Sequence, residues 1–266
     1  MSNKNNTDKP LRVLSFGAGV QSSTIAMMMK HGEIEPADVG IFADVKAEPK
    51  RVYQWLDWIE KQLPFPLIRV THKDGLTAQI EEACSGKSNR ASTPPLYTPH
   101  DDGNARPLLR QCTKDFKIAP IRRKVREIAN GRNVVQIIGI SHDERQRAKP
   151  SDVKYITHEW PLLEKQMTRH DCKKWMFAHW FPTPPRSACT YCPYKCDAEW
   201  RLLRDDDPKG WAEAVRMDKL MRRLPGVHND CFVHRSCVPL DEVDLTTDED
   251  RGQMVMPFDC EGMCGM

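Results

Sequence analysis

LSFGAGVQSS, residues Leu14–Ser23, is the stretch on which the fold turns. Leading into it, Arg12–Phe16 (RVLSF) has the apolar run of a short buried strand. A Gly-rich turn follows, and then SSTIAMMMKHG, in which Ile25, Ala26, Met28 and Met29 suit a packed helix that stops at Gly32. A strand that feeds small residues into a helix start surrounds an anion with backbone N–H groups. Gly17 and Gly19 permit close approach, the helix dipole favours negative charge, and Ser22 and Ser23 can add hydroxyls. The same turn also serves packing alone, so its meaning depends on what lies around it. Its spacing is neither G-x-G-x-x-G nor G-x-x-x-x-G-K-[ST].

Outward from this turn, strand and helix signals alternate. Val39–Ala43 is a second apolar run, and Val52–Leu63 has helical spacing at Val52, Trp55, Leu56 and Ile59. Leu67–Val70 reads as a third strand. Phe116, Ile118, Ile121, Val125 and Ile128 mark an amphipathic helix before the strand Val134–Ile140. This order predicts a parallel α/β sheet covered on both faces. Open sheets of that kind bind ligands beyond the carboxyl ends of their strands. The turn Ser15–Ser23, the acid Asp44 and the segment GISHDERQR, Gly139–Arg147, all fall there. In isolation Asp143–Arg147 is a charged surface turn; its position makes Arg145 and Arg147 candidates to meet an anion.

Between the helical and strand units, Ser85–Arg110 is rich in Ser, Pro, Asn and Asp and is expected to form a long surface loop. Beyond Pro150 strand signals fade, and helices are expected near Thr168–His179 and Pro208–Leu224. Thr168 with Asp171 makes a capping-box pattern for the first.

The chain has 266 residues, 39 % apolar and 29 % charged, with 20 Pro. Its 40 basic and 37 acidic residues leave a net charge of +3, which does not mark a dedicated nucleic-acid binder but permits basic patches such as Arg122–Lys124 and Arg145–Lys149. MSNKNNTDKP at the start has no apolar core of a secretory signal, and no run of about 18 apolar residues predicts a membrane span. The ten cysteines are therefore expected in a reducing cytoplasm, where clustered Cys signals metal or redox chemistry.

The densest cluster is PPRSACTYCPYKC, Pro184–Cys196. Cys189 and Cys192 form a C-x-x-C, with Cys196 four residues on. Two thiolates at that spacing on a tight turn can face one metal or cluster. The alternative is small buried apolar residues, as expected for the lone helical Cys172. Cys231 and Cys237, with His228 and His234, form a looser mixture that could hold a second metal.

Taken in order, these segments resemble the PP-loop superfamily, and within it the phosphoadenylyl-sulfate (PAPS) reductase family. Gly17–Ser23, GAGVQSS, overlays the S-G-G-x-D-S loop, with Gln21 where many members have Asp; the loops of the reductases, which this chain resembles more closely, run S-F-G-x-Q. FADVKAEP, Phe42–Pro49, is similar to the segment whose acids, here Asp44 and Glu48, lie near the nucleotide, although Lys46 stands where Gly is common. RQCTKDFKIAPI, Arg110–Ile121, resembles the segment that supplies an iron–sulfur ligand, and Gly139–Arg147 resembles the one whose basic residues meet the substrate's anionic end. The match spans most of the chain and extends to uncharacterised reductase-like proteins of phages and bacteria.

The resemblance implies a Rossmann-like α/β/α sandwich of the PP-loop type. Residues 1–10 are expected to be a disordered N-terminus, 11–160 the nucleotide-binding domain, and 161–266 a Cys-rich, mainly helical region packing on the active site. ATP, adenylyl sulfate or phosphoadenylyl sulfate would lie on Ser15, Gly17, Gly19, Gln21, Ser22, Ser23, Asp44, Arg145 and Arg147. Cys112 would join Cys189, Cys192 and Cys196, the last replacing one of the family's two adjacent upstream cysteines. Four thiolates suit a [4Fe–4S] cluster or zinc. In the reductases a tail Cys of a Glu-Cys-Gly pattern attacks the sulfonyl sulfur. Cys264-Gly265 is the nearer match here, with Met263 in the Glu position, while Cys260 is the other tail Cys. The expected function is sulfur or redox chemistry on an adenine nucleotide, with a thiol reductant or sulfur-donor protein as partner. Thiolation of tRNA or DNA is the alternative within that class. A zinc-stabilised nucleic-acid-binding protein with a degenerate loop is the alternative outside it.

Overall fold

The computed structural model describes residues 9–88, 93–101, 103–246, 250 and 252. In chain order its first elements are β1 (Leu11–Ser15), α1 (Val20–Lys30), β2 (Val39–Ala43), α2 (Lys50–Ile59), β3 (Leu67–Val70) and α3 (Leu76–Cys84). Next come β4 (Tyr97–Pro99), β5 (Ala105–Pro107), α4 (Ala119–Ala129), β6 (Val134–Ile138), β7 (Ile156–Glu159) and α5 (Pro161–Glu164). The last helices are α6 (Arg169–Ala178), α7 (Asp197–Asp206) and α8 (Pro208–Leu220). They fall into two compact units, each gathered from three stretches of chain. Among the described residues, the first comprises those within 9–44, 51–71 and 117–187, and the second those within 45–50, 72–116 and 188–252.

The first unit is built on a five-stranded sheet in the order β3-β2-β1-β6-β7, with every pair parallel. Alternation along the strands feeds two cores. Leu14, Phe42 and Ile137 face α1, α2 and the buried side of α6, where Val20, Ile25, Met27, Leu56 and Met176 pack. Leu11, Val13, Val39, Ile41 and Val134 face the other way, against Val125 and Ala129 of α4. Burying one such aliphatic side chain contributes about 1.5–3 kcal/mol, and strands buried on both faces require the near-continuous apolar runs seen at β1 and β2. The expected α/β class is therefore observed as a parallel sheet flanked by helices.

The sheet is wider than its apolar runs announce. β7, ITHE, is a polar edge strand, and its Glu159 receives both terminal nitrogens of Arg12 at 2.9 and 3.2 Å. Helix α6 bears out the capping pattern: Thr168 Oγ1 accepts from the Asp171 N–H, and Asp171 Oδ2 accepts from the Thr168 N–H.

In the second unit, α3, α7 and α8 enclose a core of Phe116, Tyr191, Trp200, Leu203, Met217 and Val233. Ser85–Arg110 differs from the loop expected there: Tyr97–Pro99 pairs antiparallel with Ala105–Pro107, and Tyr97 also bridges to Phe232. Both Tyr97 and Phe232 are buried, which the polar composition of the stretch conceals. Buried Asp218 of α8 ties two later loops down by accepting from the N–H groups of Val233 (2.8 Å) and Leu240 (3.2 Å). Among the described residues no helix is long and apolar enough to cross a membrane.

Candidate functional site: the switch point of the sheet

From β1 the chain builds outward through β2 to β3, then returns to place β6 on the other side of β1. The order reverses between β1 and β6, where a doubly wound sheet opens a crevice at its carboxyl ends. The loop Phe16–Gly19 borders this crevice after β1, and Gly139–Arg147 borders it after β6.

The loop turns sharply through Ala18, whose φ of 56° is in the left-handed region, and ends on Gly19, the N-cap of α1. No side chain caps α1, and its first turn carries no acid. Its N-terminal N–H groups thus keep the character that attracts anions. The glycines are not demanded by packing within the unit. A Cβ on Gly17 would come no closer than 3.8 Å to Ser22 Oγ, and one on Gly19 no closer than 3.8 Å to Ser187 Cβ. Bare backbone at both positions leaves room for a ligand rather than for a neighbour. Gly139 is different, since a Cβ there would meet Ser22 N at 3.0 Å and Ser22 Cα at 3.2 Å. The end of β6 and the start of α1 touch through backbone alone.

The expected loop residues take distinct positions. Ser22 Oγ accepts from the Gly17 N–H at 3.2 Å and donates to the Gly19 carbonyl at 3.3 Å, bracing the turn. Gln21 Nε2 lies 3.4 Å from both Ser141 Oγ and Glu144 Oε2, joining the loop to the segment after β6. Ser15 Oγ accepts from Gln136 Nε2 at 2.7 Å. Ser23 is wholly buried, its Oγ accepting from Trp55 Nε1 at 3.1 Å, so that hydroxyl faces the core. Asp44, just past β2 and buried, accepts from the Tyr53 hydroxyl at 2.9 Å. Arg145 and Arg147 are exposed on a short 3-10 helix, His142–Arg147, with Arg147 Nη1 2.7 Å from Glu144 Oε1.

Ser187 has no signal in the sequence. It lies beside Gly19, and its Oγ is buried with no hydrogen-bond partner among the described residues. A buried hydroxyl left unsatisfied is costly, and one beside an uncapped helix start is suited to an incoming acceptor.

The second unit holds the cysteines. Cys112 opens a helical turn that continues as a π-helix over Lys114–Ile118, and Cys112 and Cys189 both pack against the unit's core. Cys189 and Cys192 share one turn, in which the Cys192 N–H donates to the Cys189 carbonyl at 3.0 Å. Burial raises the Tyr191 hydroxyl well above its ordinary value, and charge on Cys189 and Cys112 adds to the effect. Burial likewise raises Tyr194, with smaller contributions from Cys192 and Cys112. Cys196 is the N-cap of α7, and its N–H donates to Glu199 at 3.0 Å.

Among the described residues, however, no group of three or more His, Cys, Asp or Glu stands close enough to hold a metal ion. That includes the Cys231, Cys237, His228 and His234 mixture, where His234 instead bridges Ser236 Oγ (2.7 Å) and Asp197 Oδ1 (2.9 Å). Cys172 is sealed in the first unit's core, and burial pushes its thiol up to about 12. Cys260 and Cys264 lie outside the described residues. Lys46 has a φ of 58°, a conformation that glycine favours.

No protein-family model matches the chain, and no curated protein matches it in sequence. Among solved structures, the chain is similar to the phosphoadenylyl-sulfate reductase from Candida auris, solved as a phosphate complex, at 15 % identity and a TM-score of 0.47, over 66 % of this chain and 76 % of that one.

Proposed function

We propose that the protein is an enzyme that binds an adenine nucleotide by its phosphate or sulfate end in the crevice between β1 and β6. One observation carries the reading: at the uncapped start of α1, Gly19 has an open Cβ position and the orphaned Ser187 side chain beside it. Backbone N–H groups and Ser187 would donate to the anion, with Arg145 and Arg147 screening its outer oxygens. Asp44 would lie on the sugar side, and Gln21 would hold the two walls of the crevice together. ATP, adenylyl sulfate and phosphoadenylyl sulfate are the ligands of matching chemistry. Calorimetric titration tests the reading: saturable heat with at least one of them supports it, and none at millimolar concentration overturns it.

The reaction proposed is reductase-like sulfur chemistry, with Cys264 as nucleophile and an external thiol supplying electrons. A [4Fe–4S] cluster, or zinc, on Cys112, Cys189, Cys192 and Cys196 is part of this proposal. The four thiols do not present a ready ligand set, and iron and sulfide content decide the matter. Thiolation of a nucleic acid is the second reading, favoured by the exposed rings of Phe177 and Trp180 and the exposed Lys174 on the first unit.

A further inference from the structure

Helix α6 ends in a way that packing does not explain. The Phe181 N–H donates to the Met176 carbonyl and the Trp180 N–H to the Phe177 carbonyl, each at 3.0 Å. This is the Schellman closure, whose left-handed position is ordinarily glycine. Here it is Trp180, at φ 60° and 92 % exposed. A bulky side chain in that conformation is strained, and its ring repays none of the strain with burial. Phe177, three residues earlier, is 80 % exposed.

The backbone beneath these rings is anchored. Trp175, His179 and Phe181 lie within 8–22° of parallel, with Trp175 and His179 stacked at 3.9 Å, and His31 of α1 meets all three edge-on. Trp175 Nε1 donates to Glu33 at 3.1 Å, and Trp175 and Phe181 pack against the core. Trp180 therefore stands between two fixed neighbours and is held outward.

The charges around the rings have one dominant sign. His170, Lys174 and Phe177 recur at helical spacing and are all exposed. Arg169 and Lys173 flank them on the same helix. The acid of α6, Asp171, is engaged in the Thr168 cap, and Glu33 is engaged by Trp175. Exposed flat rings beside cations match bases beside phosphates, whereas Lys is depleted where proteins dock on one another.

We propose that Phe177 and Trp180, with Lys174 and His170, form a docking platform for single-stranded nucleic acid. Bases stack on the two rings while the basic stripe of α6 follows the phosphates. The platform is independent of the nucleotide crevice, and an oligonucleotide assay without nucleotide lets either fail alone.

Fluorescence anisotropy of the full chain with labelled 20-nucleotide single strands, one DNA and one RNA, tests it. Binding to at least one strand, tighter than to its duplex, is expected, and the two arms tell which sugar is preferred. Trp180→Gly and Phe177→Ser should each weaken binding by roughly ten-fold. Lys174→Gln should flatten the salt dependence by about 0.7 in log–log slope. Trp180→Gly should melt no lower than wild type, because glycine suits its φ. Absence of binding, or unchanged affinity in both ring variants, overturns the proposal. So does a dimer that Trp180→Gly dissolves, which would make this face a contact between copies. Binding to anionic vesicles with none to either strand would overturn it equally.

Discussion

Gly139, at the end of β6, approaches the backbone of Ser22 so closely that a Cβ would stand 3.0 Å from the Ser22 nitrogen. The end of β6 and the start of α1 are thus locked at one point where no side chain fits. Gly139→Ala must push β6 and α1 apart, and overpacking of this kind costs about 1–3 kcal/mol. The expected result is a lower urea midpoint together with weakened nucleotide binding. Equal stability and affinity would mean that the loop relaxes freely.

Arg145 and Arg147 are exposed, and Arg147 already pairs with Glu144. Exposed pairs contribute little to folding, so Arg145→Ala and Arg147→Ala should leave the melting temperature unchanged. If they meet ligand oxygens, each loss should cost about 1.5–3 kcal/mol of binding. Unaltered affinity in both would return the segment to a solvated turn.

Much of the sheet was legible because parallel strands buried on two faces are mainly apolar, as in β1 and β2. β7 was hidden because Thr157, His158 and Glu159 are polar, as an edge allows. α7, DAEWRLLRDD, was hidden because only Trp200 and Leu203 of its ten residues are buried. The loop glycines and Gln21 could be read from spacing, whereas Ser187 could not, since it reaches Gly19 only through the tertiary fold. Ser23 shows the opposite limit, for a hydroxyl in the right motif faces Trp55 instead of the crevice. The cysteine spacing was visible, but spacing alone does not say where each sulfur points.

The Asp171 carboxyl is held below the usual carboxylate range, first by the Thr168 hydroxyl and then by the Thr168 N–H. A carboxyl whose folded value is depressed stabilises the fold fully above its unfolded value of about 3.9. That contribution is lost as pH falls through the lower, folded value. Thr168→Ala should remove a cap worth about 0.5–2 kcal/mol near neutral pH. The gap from wild type should narrow below about pH 4, as followed by urea denaturation. A gap that widens on acidification would contradict the assignment.

Iron and sulfide assays on anaerobically prepared protein examine the cysteine proposal. Single Ser variants of Cys112, Cys189, Cys192 and Cys196 should each lose iron, while Cys172→Ser should keep it, because its thiol is sealed in another core. Truncation after Pro257 should leave iron content unchanged and impair turnover. Full iron in Cys189→Ser and Cys192→Ser would show that these are not the ligands.

The most direct measurement is calorimetric titration of wild type and Gly19→Val with ATP, adenylyl sulfate and phosphoadenylyl sulfate. Gly19 has extended backbone (φ −100°, ψ 179°), which valine adopts without strain, and no neighbouring atom lies within 3.8 Å of its Cβ position. The variant should therefore fold as wild type does, with its side chain filling the space left for the phosphate. Saturable binding by wild type and none by Gly19→Val, at equal melting temperature, is the predicted result. Equal binding by both proteins, or no binding by wild type at millimolar concentration, would contradict the assignment of the crevice between β1 and β6 as a nucleotide site.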